Sequence, residues 1–215
     1  MSETDILNKI INSIANLDIQ NVPKLCEEAL NKGILPTKII TNGLVKGLAI
    51  VGEKFEAKEY FIPELIVVGE SVKRAMKILE PHMKKTDIIK IGKVIVGTVH
   101  GDLHDIGKNL LKIYLEADGF EVIDLGNDAP KEKFVEIIRA EKPFIVGMSA
   151  LTTFTMPEME KVIEALKEAG LRNQVKIIIG GAPITKKFAD MIGADDYAKD
   201  VIEGVKICKR WMDEI

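Results

Sequence analysis

Five short apolar segments alternate with amphipathic ones through the C-terminal part of this 215-residue chain, and this alternation restricts the fold more than any other feature. It predicts an α/β domain with a five-stranded parallel sheet, in the flavodoxin-like (Rossmann-like) strand order 2-1-3-4-5. The predicted strands are Lys93–Val99, Glu121–Leu125, Phe144–Ser149, Lys176–Ile179 and Asp196–Ala198, and the predicted helices span about 106–118, 130–141, 156–170, 184–192 and 200–213.

The N-terminal part shows helical periodicity only. Isoleucines at positions 6, 10, 11 and 14 repeat at intervals of three and four, and prolines stand near several predicted helix starts. A four-helix bundle is the natural way to bury such apolar stripes. A polar segment from Glu80 to Asp87 then separates this part from the sheet, so we predict one domain over 1–88 and another over 89–215. The predicted helices span about 4–17, 22–32, 36–57 and 62–80.

Composition narrows the function classes. The formal net charge of -3 gives no general attraction to nucleic acid, which is therefore not an expected partner. No segment approaches the roughly 20 apolar residues that span a bilayer, and the charged N-terminus lacks the apolar core of a secretory leader. We expect a cytoplasmic protein that does not enter a membrane. Cys26 and Cys208 lie far apart without a metal-binding spacing, so buried thiols are expected.

Three unusual loops follow the predicted strands 1, 3 and 4. Ligands of doubly wound sheets bind beyond the carboxyl ends of the strands where the winding direction reverses, which is here between strands 1 and 3. The first loop is VHGDLHD (99–105), the second is SALTTFT (149–155), and strand 4 ends in Gly180-Gly181. We therefore expect a binding site where these loops meet.

The segment VHGDLHDIGKN (99–109) holds two of the three histidines of the chain and allows several interpretations. A phosphate-binding loop is disfavoured because five residues instead of four separate Gly101 from Gly107, and because Asn109 stands where Ser or Thr would bind magnesium.

A metal ion held by the protein alone is a second interpretation. His100 and His104 are four residues apart, but this spacing brings two ligands to one metal only on a helix, and the segment leaves a strand. His100 is then incidental to ligand binding.

The third interpretation is a single outward imidazole, His104, oriented by Asp102. One protein ligand is enough for a metal already held by a macrocycle.

The three loops match a known pattern. Asp102-x-His104-x-x-Gly107, then Ser149-x-Leu151, then Gly180-Gly181 resemble the DxHxxG…SxL…GG motif of cobalamin-binding domains. The segments GLAIVGEKF (47–55) and FIPEL (61–65) resemble the helical cap module of methionine synthase and of methyltransferase corrinoid proteins. The resemblance covers nearly the whole chain, and it implies a helical cap domain followed by a corrinoid-binding domain.

The resemblance implies a cobalamin or related corrinoid bound base-off/His-on, in which His104 replaces the lower base as the axial ligand of cobalt. Asp102 would orient His104, and Thr155 would extend the pair into a relay, although a helix cap is an alternative role for Thr155. Asp105 is expected to cap the helix after the loop. The residues expected to contact the corrinoid or its tail are Gly101, Asp102, Leu103, His104, Asp105, Ile106, Gly107, Ser149, Leu151, Thr153, Gly180, Gly181 and Val201.

The resemblance also assigns residues in the cap. Phe55, Ile62 and Leu65 would lie over the cobalt-bound methyl group, and an ordinary bundle core is the alternative for them. Gly180 and Gly181, which have no side chains, would let the bulky cofactor tail pass close to the backbone.

Two positions near the last strand depart from the family pattern. Asp200 is followed by Val201 where the family usually has alanine, and Asp196 stands where a small residue is common. The contacts of the tail at these positions are therefore left open, whereas the cobalt ligand is not affected.

The function implied is that of a corrinoid methyl carrier. It would accept a methyl group on Co(I) from a substrate-specific methyltransferase, with methylamine-type donors favoured, and pass it to a second methyltransferase that serves coenzyme M or tetrahydrofolate. A reductive activation protein is a further expected partner. The chain would be a carrier subunit of a methyltransferase system and not a complete enzyme. The alternatives are a cobalamin-binding regulator or sensor and the small subunit of a B12-dependent mutase.

Overall fold

The computed structural model describes residues 2–83 and 91–214, which form two compact units. One unit contains the N-terminal helices, and the other contains a β-sheet with its helices. The predicted domain boundary between residues 88 and 89 lies outside the described residues. Within the described ranges, none of the helices is long and apolar enough to cross a membrane.

The helical unit begins at a capping box. The Ser2 hydroxyl accepts a hydrogen bond from the Asp5 backbone N–H at 3.2 Å, and the Asp5 carboxylate accepts one from the Ser2 N–H at 2.8 Å. Proline occupies the first turn of two later helices, where its missing N–H costs nothing. The helices are α1 (Glu3–Ala15), α2 (Asn21–Asn31), α3 (Pro36–Ile39), α4 (Val45–Glu56) and α5 (Ile62–Leu79).

The isoleucine stripe of α1 lies in the core of this unit, as the periodicity predicts. Ile6, Ile10 and Ile14 are buried, and α1 packs against α2 and α4 while α2 packs against α5. Gly47 of α4 makes close packing possible, since a Cβ atom there would lie 2.8 Å from the Ile14 side chain. The apolar pattern of the sequence therefore predicted this bundle correctly.

The predicted helix over 36–57 is interrupted. A π-helical turn at Ile40–Leu44 separates α3 from α4. Such a turn adds one residue to the helix and shifts the spacing of the buried positions only slightly, so the sequence was interpreted as one continuous helix. Thr41 lies within the turn, and its hydroxyl donates to the Thr37 carbonyl at 2.9 Å.

The second unit alternates strands and helices as predicted. Thr185 caps one of its helices, because its hydroxyl accepts from the Phe188 N–H at 3.2 Å. The elements are β1 (Lys93–Thr98), α6 (Ile106–Ala117), β2 (Glu121–Asp124), α7 (Lys131–Glu141), β3 (Ile145–Ser149), α8 (Met156–Glu168), β4 (Lys176–Gly180), α9 (Lys186–Ile192), β5 (Asp196–Ala198) and α10 (Val201–Asp213).

The five strands are parallel in the order β2-β1-β3-β4-β5, which confirms the predicted topology. On one face, alternate strand residues such as Val146 and Met148 pack with α7, α8 and α9 into a continuous apolar core. The register aligns Thr98 with Ser149, and Ser149 with Gly180, at the carboxyl ends. The ends of β1, β3 and β4 therefore form one edge, from which the three unusual loops leave.

Candidate functional site

The loop after β1 brings a histidine and an aspartate into contact. His104 Nδ1 lies 2.8 Å from Asp102 Oδ1, and the His104 backbone N–H donates to the same oxygen at 3.0 Å. An ionised carboxylate can only accept hydrogen bonds, so Nδ1 carries the proton and the neutral ring keeps a lone pair on Nε2. Asp102 therefore selects the tautomer in which Nε2 can bind a metal.

Asp102 is buried, and its second oxygen is also satisfied. Oδ2 accepts from the Thr155 hydroxyl at 2.6 Å and from the Leu151 backbone N–H at 2.7 Å. Burial acts to raise the pKa of Asp102, but the hydrogen bonds from Thr155, Leu151 and His104 outweigh it and hold that pKa well below its ordinary range. A fixed negative charge thus stands behind the His104 ring.

Thr155 therefore acts as a donor to Asp102. It directly precedes α8, where a helix cap was the alternative role, but its hydroxyl points to the carboxylate and does not cap the helix. The cap interpretation is wrong, because the Thr155 hydroxyl accepts no hydrogen bond from the first turn of α8 and the Thr155 backbone is helical, not extended as at a typical side-chain cap. Thr152 supports this arrangement, with its hydroxyl 2.9 Å from that of Thr155.

The His104 ring itself faces solvent among exposed apolar side chains. Its side chain is 58% exposed, although the carboxylate behind it has no exposed surface. Four exposed apolar residues lie within two positions of His104 or on the loop that contacts Asp102. Apolar surface concentrated around one imidazole suits a large apolar ligand. These residues are Leu103, Ile106, Leu151 and Phe154.

His100 has a separate carboxylate partner. Its Nδ1 lies 2.7 Å from Asp128 Oδ1, and both side chains are largely exposed. The two histidines of the segment therefore face different aspartates. Among residues 2–83 and 91–214, no group of three or more His, Cys, Asp or Glu side chains is placed to hold a metal ion. The arrangement does not favour a metal held by the protein alone.

Two hydroxyls link the strand ends beneath the loop. Thr98 is fully buried, and its Oγ1 lies 2.8 Å from Ser149 Oγ and 3.4 Å from the His104 carbonyl oxygen. This pair connects β1 to β3 directly below the backbone of His104. The sequence predicted Ser149 but not Thr98, whose contact depends on the pairing of β1 with β3.

A buried ion pair holds the first turn of α6. Lys108 Nζ donates to Asp124 Oδ1 at 2.6 Å and to Asn109 Oδ1 at 2.8 Å, and its side chain is almost fully buried. Asp124 also accepts the Gly126 N–H at 2.9 Å. The helix that follows the His104 loop is thereby fixed to the end of β2. The sequence did not predict this pair, because it gives no sign that the Lys108 side chain is buried against Asp124 while the other lysine of the helix is partly exposed.

Comparison with known proteins decides the family. The C-terminal unit matches the B12 binding domain over residues 92–206, and the N-terminal helices match a second B12 binding domain model over residues 6–80. The chain belongs to the B12-binding family. It is 40% identical over 210 residues to trimethylamine corrinoid protein 1 of Methanosarcina acetivorans, with 95% of this chain and 97% of the relative covered.

Other members of the B12-binding family are equally similar. The chain is 40% identical over 213 residues to monomethylamine corrinoid protein 2 of Methanosarcina mazei, with 96% of this chain and 97% of the relative covered. A crystal structure of a cobalamin-binding protein from Desulfitobacterium hafniense DCB-2 superposes with a TM-score of 0.80 at 38% identity and covers 95% of this chain and 98% of that one. The fold predicted from the resemblance is therefore confirmed.

The predicted residues of the B12-binding motif meet at the sheet edge, with differences in detail. Thr153 is exposed, and its neighbour Thr152 makes the contact with Thr155. Asp105 directly precedes α6, and its carbonyl accepts the Asn109 N–H at 2.8 Å. The hydroxyl-rich loop therefore contributes through residues 152 and 155, which turn toward Asp102.

The second glycine of Gly180-Gly181 has a structural cause. Gly181 has φ +132°, and a Cβ atom there would overlap the carbonyl group of Ala150. A Cβ at Gly180 would lie 3.3 Å from the Ala198 carbonyl oxygen. The close approach of β4 to the loop after β3 thus requires glycine at position 181 whatever passes outside it.

The departures near β5 also have structural roles. Asp200 Oδ1 accepts the Glu203 N–H at 2.8 Å and so caps α10, of which the buried Val201 is the first residue. Asp196 lies 2.8 Å from Arg210 and 3.5 Å from Lys186. Both aspartates therefore serve the local structure of the B12-binding unit.

The three residues proposed for the cap differ in exposure. Leu65 is fully buried, Phe55 is half-buried, and Ile62 is 42% exposed. Burial of Leu65 agrees with the alternative role in the bundle core. Exposure leaves Ile62 able to contact a ligand.

Proposed function

We propose that this chain is a corrinoid methyl carrier that binds cobalamin or a related corrinoid base-off/His-on, with His104 as the axial ligand of cobalt. One observation carries the proposal. A solvent-facing imidazole has its Nδ1 held by a buried, ionised carboxylate, so its Nε2 is presented as a single fixed donor. A donor set of one imidazole suits a metal whose other ligands come from a macrocycle.

The residues around His104 would each have a separate role in binding the corrinoid. When bound, the corrinoid supplies a cobalt centre that takes up and gives up a methyl group. His104 would bind that centre through Nε2, and Asp102 would keep the ring in orientation and stabilise a proton on it whenever Nε2 is not bound. Thr155 would keep the carboxylate of Asp102 in place. The exposed apolar side chains Leu103 and Leu151 would cover the macrocycle edge.

The partners follow from the carrier role. The carrier would receive the methyl group from a substrate methyltransferase, with methylamine-type donors favoured by the trimethylamine and monomethylamine corrinoid relatives. It would deliver the group to a second methyltransferase that serves coenzyme M or tetrahydrofolate, and a reductive activation protein would restore cobalt to its working state. The free thiols of Cys26 and Cys208 suit the reducing cytoplasm in which we place it.

The test is the electron paramagnetic resonance spectrum of the protein loaded with Co(II) corrinoid. The wild-type protein should show coupling from one imidazole nitrogen, and His104→Ala should abolish this coupling even where corrinoid remains bound through other contacts. His100→Ala is the matched control, since it removes an equally exposed imidazole from the same loop, and it should retain the coupling. Coupling that survives His104→Ala and disappears in His100→Ala would refute the proposal.

A further inference from the structure

The loop between β2 and α7 holds the segment that carries His104. Asp128 in this loop has a left-handed backbone, with φ +50°. Its Oδ1 accepts the Gly101 N–H at 2.7 Å, and its own N–H donates to the Asp102 carbonyl at 3.0 Å. The neighbouring Asn127 side chain approaches the Leu103 carbonyl at 3.5 Å. Three consecutive residues before His104 are therefore bound to two consecutive residues of this loop.

The loop is itself anchored on both sides of that contact. The Thr98 N–H donates to the Gly126 carbonyl at 3.0 Å, and the Ala129 N–H donates to the Thr98 carbonyl at 2.9 Å. Asp124, just before the loop, accepts the Gly126 N–H and pairs with the buried Lys108. These hydrogen bonds hold the backbone on both sides of Asp128 in place. The contacts that Asp128 makes therefore restrict the movement of residues 101–103.

The backbone turn before His104 contains a glycine, and the orientation of His104 depends on this turn. Gly101 has φ +78° and no side chain, so within the turn into Asp102 the backbone is restrained only by the hydrogen bond from the Asp102 N–H to the Val99 carbonyl at 3.1 Å. The direction of the Asp102 carboxylate depends on that turn, and the His104 N–H and ring both bind this carboxylate. The hydrogen bond that the Gly101 N–H donates to the charged Asp128 oxygen restricts the turn at its glycine.

We propose that Asp128 is a positioning residue for His104, acting through Gly101 and the Asp102 backbone. Asp128 does not contact the imidazole of His104, and the tautomer of that ring is set by Asp102. The functional importance of this positioning rests on the proposed role of His104 as a cobalt ligand. The positioning itself can be measured in the protein without corrinoid.

Amide hydrogen exchange of the corrinoid-free protein tests this directly. The reporters are the N–H groups of His104 and Leu151, which donate to the two oxygens of Asp102. Their rates are compared with that of the Val146 amide in the central strand β3, which reports general stability. Asp128→Gly keeps the left-handed backbone and removes the carboxylate, so it should speed the exchange of both reporters about tenfold relative to Val146.

Two variants control the experiment. Asp128→Asn keeps an acceptor oxygen and tolerates a left-handed backbone, so both reporter rates should stay within about threefold of wild type. Lys142→Gly makes the same replacement at another left-handed position, with φ +47° at the end of α7, and should leave the reporters unchanged.

The contrary outcomes are distinct. Unchanged reporters in Asp128→Gly, or a rise shared equally by Val146, would overturn the proposal. A glycine variant that does not fold would also overturn it, because Asp128 would then serve the fold and not His104.

The loaded protein separates this inference from the proposed function. With Co(II) corrinoid bound, Asp128→Gly should lower the fraction of the signal that carries nitrogen coupling, and Asp128→Asn should restore it. If the wild-type protein shows no nitrogen coupling, the proposed function fails, whereas faster exchange in Asp128→Gly would still support the positioning role.

Discussion

Two histidines lie four residues apart on the loop after β1, and each contacts an aspartate, but the two aspartates differ in burial. The rings of His104 and His100 are 58% and 61% exposed, but the Asp102 side chain is fully buried whereas Asp128 is 49% exposed. Each ring has its Nδ1 within 2.8 Å of a carboxylate oxygen. The comparison shows that equal contact distances conceal different electrostatics, because water screens only one of the two acids.

The buried acid also has more donors. Asp102 accepts from Thr155, from the Leu151 N–H and from both the backbone and the ring of His104. Asp128 faces His100 and the Gly101 N–H. A carboxylate fixed by several donors cannot follow a moving ring, so the ring must follow it. We therefore infer that Asp102 fixes the orientation of the His104 ring. His100 contacts Asp128, the acid that we propose positions the His104 segment.

The largest expected effect is that of Asp102→Ala. It leaves the N–H groups of Leu151 and His104 and the Thr155 hydroxyl without their acceptor, and unsatisfied buried donors cost about 1–3 kcal/mol each. We expect the free energy of unfolding, measured in urea, to fall by about 3 kcal/mol. Asp128→Asn is the comparison and should change it far less. Equal losses in the two variants would remove the distinction between the pairs.

The pH dependence of stability should differ in the same sense. The folded-state pKa of Asp102 lies below the 3.8 of an unperturbed aspartate, so the unfolded chain binds the proton more readily. The stability that its ionised form contributes is complete well above pH 3.8 and is lost as the pH falls through the folded pKa. Urea unfolding between neutral pH and pH 2.5 should show a smaller acid loss for Asp102→Asn than for wild type. Identical acid profiles would contradict the lowered pKa.

Thr155→Val should have the smallest of these effects. It removes one hydrogen bond to a charged group while nearly preserving volume, so we expect a loss of about 1.5 kcal/mol in the free energy of unfolding. Thr155→Ser should recover most of it. The exposed neighbour Thr153 supplies the matched control, and Thr153→Val should stay within about 0.5 kcal/mol of wild type. A similar loss in both valine variants would show that the Asp102 contact is not its cause.

The order of the strands could be predicted because apolar runs separated by helices leave few topologies, and the winding rule then indicated the edge where the three loops meet. The spacing of Asp102 and His104 predicted their contact, since both lie in one short loop. Thr98 could not be found this way. Thr98 contacts Ser149 because the two residues lie opposite each other in β1 and β3. This depends on strand register and not on local sequence.

Asp128 and the π-helical turn were missed for different reasons. Asn and Asp adopt left-handed backbone in many kinds of turn, so an Asn-Asp pair after a strand indicates only a turn and not what its side chains contact. Its contact with Gly101 arises from the parallel pairing of Val99 with Ala129, between segments distant in the sequence. The turn at Ile40–Leu44 adds one residue to the helix, so the buried positions from Ile39 to Gly52 repeat every four residues; this differs too little from about 3.6 to stand out in the sequence.

The close approach of Gly181 to Ala150 has a consequence for inherited variation. Ala150 directly precedes Leu151, whose N–H holds the acid behind His104. A single methyl group added at position 181 would push on that peptide and disturb the imidazole from the far side of a neighbouring strand. A genetic screen for carriers that lose their corrinoid would then recover Gly181 substitutions. The damage would lie at the His104 ring, although the substituted glycine belongs to the loop that the resemblance assigns to the cofactor tail.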